Sequence, residues 1–190
     1  MRKGFTLVEL SIVLVIIGLL IGGVLKGKAM IENAKLKRVK NDIDSIVAAV
    51  YGYQDKYNYL PGDDINDRES ELGATGCDGS QGDGDGIIDS KERTCAWQEL
   101  IGAGFITGDA SVHDINKVAK RTPFGGKYLL YSGTHNEQNG NYIFVEYMPS
   151  DKIKALDSKY DDGKYDSGII QASGDYPNPP KNRHMYWYAF

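Results

Sequence analysis

Lys3-Gly4-Phe5-Thr6-Leu7-Val8-Glu9-Leu10-Ser11-Ile12-Val13-Leu14-Val15-Ile16-Ile17-Gly18-Leu19-Leu20-Ile21-Gly22-Gly23-Val24-Leu25 decides the architecture. About 20 apolar residues suffice to carry a helix across a bilayer. The averages for the 190 residues, 41% hydrophobic and 25% charged, are those of an ordinary globular chain and hide this concentration. After Leu25 the sequence turns polar, with Gly and Tyr frequent and hydrophobic runs short. The molecule therefore reads as an apolar stalk plus a head. Within the stalk stands one carboxylate, Glu9. An acidic side chain in hydrocarbon costs on the order of 2.5 to 3.5 kcal/mol even on lenient insertion scales. A secretory signal needs a small-residue cleavage site behind its apolar region, and the stretch after Leu25 offers none. A plain anchor fits the length but leaves Glu9 unexplained. Cleavage between Gly4 and Phe5, behind the positive leader Met1-Arg2-Lys3, would free an α-amino group one helical turn from Glu9. The amine of a neighbouring copy could then meet that carboxylate as apolar helices bundle.

Lys3-Gly4-Phe5-Thr6-Leu7-Val8-Glu9-Leu10 resembles the class III signal of type IV prepilins and type II secretion pseudopilins. The resemblance implies a prepilin peptidase that cuts after Gly4 and methylates the amine of Phe5. It gives Glu9 the task of registering each incoming subunit. It also implies the pilin fold, an α+β molecule in which a long N-terminal helix packs on a small antiparallel sheet. The organisation expected is a leader at 1–4, a membrane or filament-core helix at 5–27, its amphipathic continuation at 28–58 and a head at 59–190.

Gly18, Gly22, Gly23 and Gly27 punctuate the apolar helix. Small residues let helices approach closely in a membrane, and glycine also weakens a helix by about 1 kcal/mol per site, so packing and local melting on assembly are both open readings. Farther on, Leu36, Val39, Ile43, Ile46, Val50, Tyr53 and Tyr57 recur at intervals of three and four, one face of a continuing helix. Leu60-Pro61-Gly62 should end it near Asn58. The basic run from Lys35 to Lys40 reads as a solvated helix face beside a membrane.

In the head, Ala96 to Ile106 carries Trp97, Leu100, Ile101 and Phe105 at helical spacing, with Trp97 as a core anchor. Strands are expected at Lys127–Ser132, Asn141–Met148, Gly168–Ser173 and His184–Phe190, and a helix capped by Ser150 from Asp151 to about Tyr160. Leu60-Pro-Gly-Asp63 and Ala155 to Gly163 are similar to segments of a poorly characterised branch of pilin-like proteins, a likeness that implies no activity. Cys77 and Cys95, a closely spaced pair in a chain bound for export, read as a disulfide. On the chain-entropy model it would stabilise the fold by roughly 3 kcal/mol.

Between the cysteines, Gln81 to Glu92 reads Gln-Gly-Asp-Gly-Asp-Gly-Ile-Ile-Asp-Ser-Lys-Glu, in register with a twelve-residue EF-hand-type loop. Asp83, Asp85, the Ile87 carbonyl, Asp89 and Glu92 take the ligand places, and Gly86 the tight turn. Gln81 stands where aspartate is expected and should weaken binding. A structural Ca2+ of roughly 0.1 to 1 mM affinity is the reading; a solvated Asp/Gly turn is its rival. No flanking EF-hand helices are evident. The second acidic group, Asp157, Asp161, Asp162 and Asp166, lacks that register and reads as a helix end.

No nucleophile elbow, phosphate-binding glycine loop or zinc-binding H-E-x-x-H motif occurs, and His113, His135 and His184 are scattered, so no enzyme is expected. A net charge of −4 argues against nucleic-acid contact. The 13 tyrosines read as packing between helix and sheet. The expected function is a structural subunit of a type IV pilus or type II secretion pseudopilus. Its partners would be copies of itself, other pilins, the prepilin peptidase and an inner-membrane assembly platform. It would sit in the bacterial inner membrane as a single-pass precursor, then in a periplasmic or cell-surface filament. The rival is a minor pilin at the tip, a calcium-dependent adhesion module.

Overall fold

In a computed structural model, residues 6–66, 68–77 and 82–189 are described. Helix α1 spans Leu7–Tyr57, 51 residues. It ends where Asn58 takes a positive φ of 63° and donates the last helical N–H bond to the Gln54 carbonyl. Pro61 and Gly62 then form a tight turn closed by Asp63 N–H on the Leu60 carbonyl at 3.2 Å, with Gly62 at φ +88°. The contacts divide the chain into two compact units, one up to Arg38 and one from Val39 onward.

In the first unit, residues 6–25 are all exposed. This stretch of α1 is long and apolar enough to cross a membrane. Nothing lies within 4 Å of where a Cβ would stand at Gly18, Gly22, Gly23 or Gly27, so close packing and melting are equally open.

The second unit is built on a four-stranded antiparallel sheet. β1 (Tyr128–His135) and β2 (Gln138–Pro149) form a hairpin, and β4 (Asn182–Tyr188) lies between β2 and β3 (Ile170–Ala172). The hairpin loop is Asn136 and Glu137, both at positive φ, the backbone that matches strand twist in two-residue turns. Its tightness lets β1 and β2 run beyond the expected Ser132 and Asn141 to the His135–Gln138 pair. β3 and β4 end at Ala172 and Tyr188, short of the expected ends, and Phe190 lies outside the described residues.

Register sets the two faces of the sheet. Tyr128, Leu130, Ile143, Val145, Ile170, Met185 and Trp187 share one face and are buried. The Tyr128 hydroxyl donates to Asp42 of α1 at 3.2 Å, so this face looks onto the helix. There Val39, Ile43, Ile46, Val50, Tyr53 and Tyr57 are buried in turn. Tyr131, Tyr142, Phe144 and Tyr186 occupy the opposite face, their rings 5.3 to 5.5 Å apart. Helix–sheet packing therefore accounts for only some of the tyrosines.

Short helices α2 (Glu69–Leu72) and α4 (Ile115–Val118), unannounced by periodicity, flank α3 (Arg93–Gly102). α3 begins three residues before the expected Ala96 and stops four before the expected Ile106. Gly104, at φ +83°, donates to the Ile101 carbonyl, and Phe105 N–H to the Leu100 carbonyl, a Schellman ending that only a residue tolerant of the left-handed region allows. Trp97 is fully buried, as a core anchor should be. α5 (Ser150–Tyr160) connects β2 to β3. Ser150 lies inside this helix and does not cap it. Its hydroxyl accepts instead from Lys181 N–H at 3.1 Å, while its own N–H donates to the Lys181 carbonyl, tying the helix start to the chain entering β4.

Candidate functional sites

Thr6-Leu7-Val8-Glu9 opens α1 as a capping box. The Thr6 hydroxyl accepts from Glu9 N–H at 3.2 Å, and the Glu9 carboxylate accepts from both the N–H and the hydroxyl of Thr6 at 2.8 Å. The carboxylate that looked unaccountable in hydrocarbon thus has a local role at the helix start. The S/T-x-x-E spacing was there to be read. Gly4 and Phe5, the expected cleavage and methylation positions, lie outside the described residues.

Cys77 and Cys95 are joined in a disulfide, Cα to Cα 5.4 Å. In the loop they enclose, Gln81 lies outside the described residues. Asp83 and Asp85 are brought together with a third acid from elsewhere in the chain, Asp63, their carboxylate oxygens within 4.8 Å of one another. Asp63 is 2% exposed and accepts from the N–H groups of Gly84, Asp85 and Gly86 at 2.7, 3.1 and 2.9 Å. The turn that carries Asp63 and the acidic loop approach so closely that a Cβ on Gly82 would stand 2.7 Å from the Asp63 carbonyl carbon. Burial pushes the Asp63 carboxyl above its usual range, only partly offset by the N–H donors.

Glu92 is also 2% exposed; its carboxylate accepts from Asp89 N–H at 2.7 Å. Burial, and then the charges of Asp89, Asp63 and Asp83, push it up to about 7. Asp89 is held by the Lys91 and Glu92 N–H groups. Ile87 N–H donates to Asp85. Asp89 and Glu92 therefore adjoin the three clustered acids without being drawn into the same group. Contrary to expectation, a helix does flank the loop: α3 starts at Arg93, directly after Glu92. The part sequence reasoning missed is Asp63. Its only signal was an acid after Pro-Gly, 18 residues ahead of the vacated first position at Gln81.

The second acidic group does close a helix. Asp157 is fully buried at the end of α5 and accepts from Gly163 N–H at 2.8 Å and the Tyr176 hydroxyl at 2.5 Å. Asp161 accepts from Ile170 N–H. His135 stacks on Tyr186 at 3.7 Å and His184 on Phe144 at 4.8 Å. His113 lies beside the disulfide, its Nδ1 3.8 Å from Cys77 Sγ.

The family model for the prokaryotic N-terminal methylation motif matches residues 1–25. No curated protein and no solved structure matches the chain. The motif indicates a type IV pilin-like substrate of prepilin peptidase. With the apolar helix behind it, the motif fits a precursor anchored in the inner membrane and then assembled into a filament with other pilins. Residues 1–25 are thus a type IV pilin-like prepilin signal, joined to a long helix and small antiparallel sheet that fit the pilin architecture.

Proposed function

We propose that the chain works by polymerising, as a structural subunit of a type IV pilus-like or type II secretion pseudopilus-like filament, after cleavage behind Gly4 and methylation of Phe5. The observation that carries this reading is Glu9, the one carboxylate in a run of exposed apolar residues from Leu7 to Leu25. Apolar helices bundling side by side remove that surface from lipid or water without specifying their stagger. A charged pair between Glu9 of one subunit and the freed amine of the next would specify it, because any other stagger leaves an unpaired charge in a medium of low polarity. The capping box supports this by holding the carboxylate at the outermost turn, where the new amine emerges. Glu9→Ala tests it. The variant is expected to be cleaved normally by the peptidase and to build few or no filaments. Normal filament yield from that variant would overturn the register role.

The head loop is proposed to hold a structural Ca2+, with Asp63 supplying the carboxylate that Gln81 does not. Calcium takes six to eight oxygens at flexible distances. Asp63, Asp83, Asp85 and the neighbouring Asp89 and Glu92 offer an excess of them. Burial chiefly, with the charge of Asp85 on Asp63 and those of Asp89, Asp63 and Asp83 on Glu92, raises the Asp63 and Glu92 carboxyls, and a cation bound among them would favour their ionised forms. Asp63 bonds the loop's N–H groups with the same carboxylate it would present to the ion, as the first aspartate of such a loop would.

A further inference from the structure

Cys77, Cys95 and His113 put two sulfurs and an imidazole nitrogen within 4.8 Å of one another. Cys77 Sγ to His113 Nδ1 is 3.8 Å, close to the roughly 3.5 Å expected between neighbouring sulfur and nitrogen ligands of a tetrahedral zinc. Gln98 completes the group. Its Oε1 is 3.0 Å from Cys77 Sγ and 2.9 Å from His113 Nδ1. The amide is fully buried, and its NH2 donates to the Thr75 and Ala110 carbonyls at 3.0 and 2.7 Å, which fixes the oxygen toward sulfur and imidazole. Cys95 and Gln98 lie one turn apart on α3, Cys77 precedes the acidic loop, and His113 precedes α4. Four side chains from three segments thus converge on one point.

We infer that the chain with its cysteines reduced holds a thiophilic divalent cation, Zn2+ by preference, on Cys77, Cys95 and His113, with Gln98 Oε1 at the fourth corner. Binding displaces one proton from each thiol. Closing the disulfide takes two electrons and two protons from the thiol pair, delivered to a disulfide-bearing oxidant that leaves as a dithiol. It consumes both sulfur ligands, so ion and disulfide exclude each other. Either one staples the start of the acidic loop to α3. The chain therefore carries this staple before and after oxidation.

The test uses the full-length chain in detergent micelles, reduced with a phosphine under argon and titrated with Co2+. One equivalent is expected to give thiolate charge-transfer absorption and the intense visible bands of four-coordinate cobalt, displaced by Zn2+. The oxygen-only loop at Asp63 would give neither, and the oxidised chain should be silent. Cys77→Ser should lower the charge-transfer band by about half or more, the Cys77→Ser/Cys95→Ser double variant should abolish it, and His113→Ala should weaken Co2+ binding about tenfold or more and shift the visible bands. No thiolate band in the reduced chain, or bands unchanged by His113→Ala, overturns the assignment.

Discussion

Glu99 of α3 sits where three segments meet. Its carboxylate accepts from Gly62 N–H at 2.8 Å and lies beside the Tyr53 hydroxyl of α1, which donates to Asp64 at 3.4 Å. The Asp64 carboxylate lies nearby and the Arg68 guanidinium partly balances both, though Arg68 is bonded to Asp64 itself. Burial, with the charge of Asp64 adding to it, raises the Glu99 carboxyl from 4.5 to about 7. A carboxyl raised by folding is held protonated in the native state, so its contribution is full below 4.5 and is lost as pH climbs through about 7. Glu99→Gln keeps an acceptor for Gly62 and removes the ionisation. Relative to the parent chain, this variant is expected to gain roughly 1 to 3 kcal/mol as pH rises across that window. The measurement is the melting temperature of both full chains against pH, with chelator present. Parallel curves would show that Glu99 ionises without cost.

At the scale of elements, the local endings decide more than the apolar runs between them. Periodicity gave α1 its buried face, but Gly104 shortened α3 and a two-residue turn lengthened β1 and β2. α5 shows the energetics of such an ending. Asp157, at its last turn, is fully buried and has its carboxyl raised chiefly by that burial, while the Tyr176 hydroxyl and the Gly163 N–H donate to it. Tyr176→Phe keeps the ring, which meets Tyr165 edge-on at 6.3 Å, and removes the hydroxyl. A buried acceptor deprived of a donor costs about 1 to 3 kcal/mol. Denaturant unfolding should show that loss, with faster amide exchange concentrated in α5. An unchanged midpoint would mean that the Gly163 N–H alone suffices.

For the whole molecule, the calcium reading predicts linkage between ion and fold. At a tenfold excess of free Ca2+ over its Kd, binding to the native state alone stabilises by about 1.4 kcal/mol. The full chain's melting temperature should therefore rise with millimolar Ca2+ and fall back with chelator. Asp63→Asn should abolish most of the rise and melt somewhat below the parent without ion, since its amide oxygen keeps the Gly84 and Asp85 N–H bonds while its NH2 leaves the Gly86 N–H without an acceptor. No rise in the parent would remove the metal, and a full rise in the variant would remove Asp63 from the site.

The sequence by itself determined the signal, the apolar span and the α+β class, because each rests on residues near one another in the chain: an acid inside an apolar run, a stripe at helical spacing, β-rich segments between turns. It also carried the acidic loop's register and an eligible pair of cysteines. Tertiary structure alone decided which distant groups share a point. Asp63 reaches the loop because the Pro61–Gly62 turn folds back beneath Gly82. His113 and Gln98 meet the cysteines because the chain between α3 and α4 turns over them. Glu99 acquires its raised carboxyl from burial among three separate segments, with the charge of Asp64 adding to it. Such contacts follow from packing the whole core at once, and no local spacing encodes them.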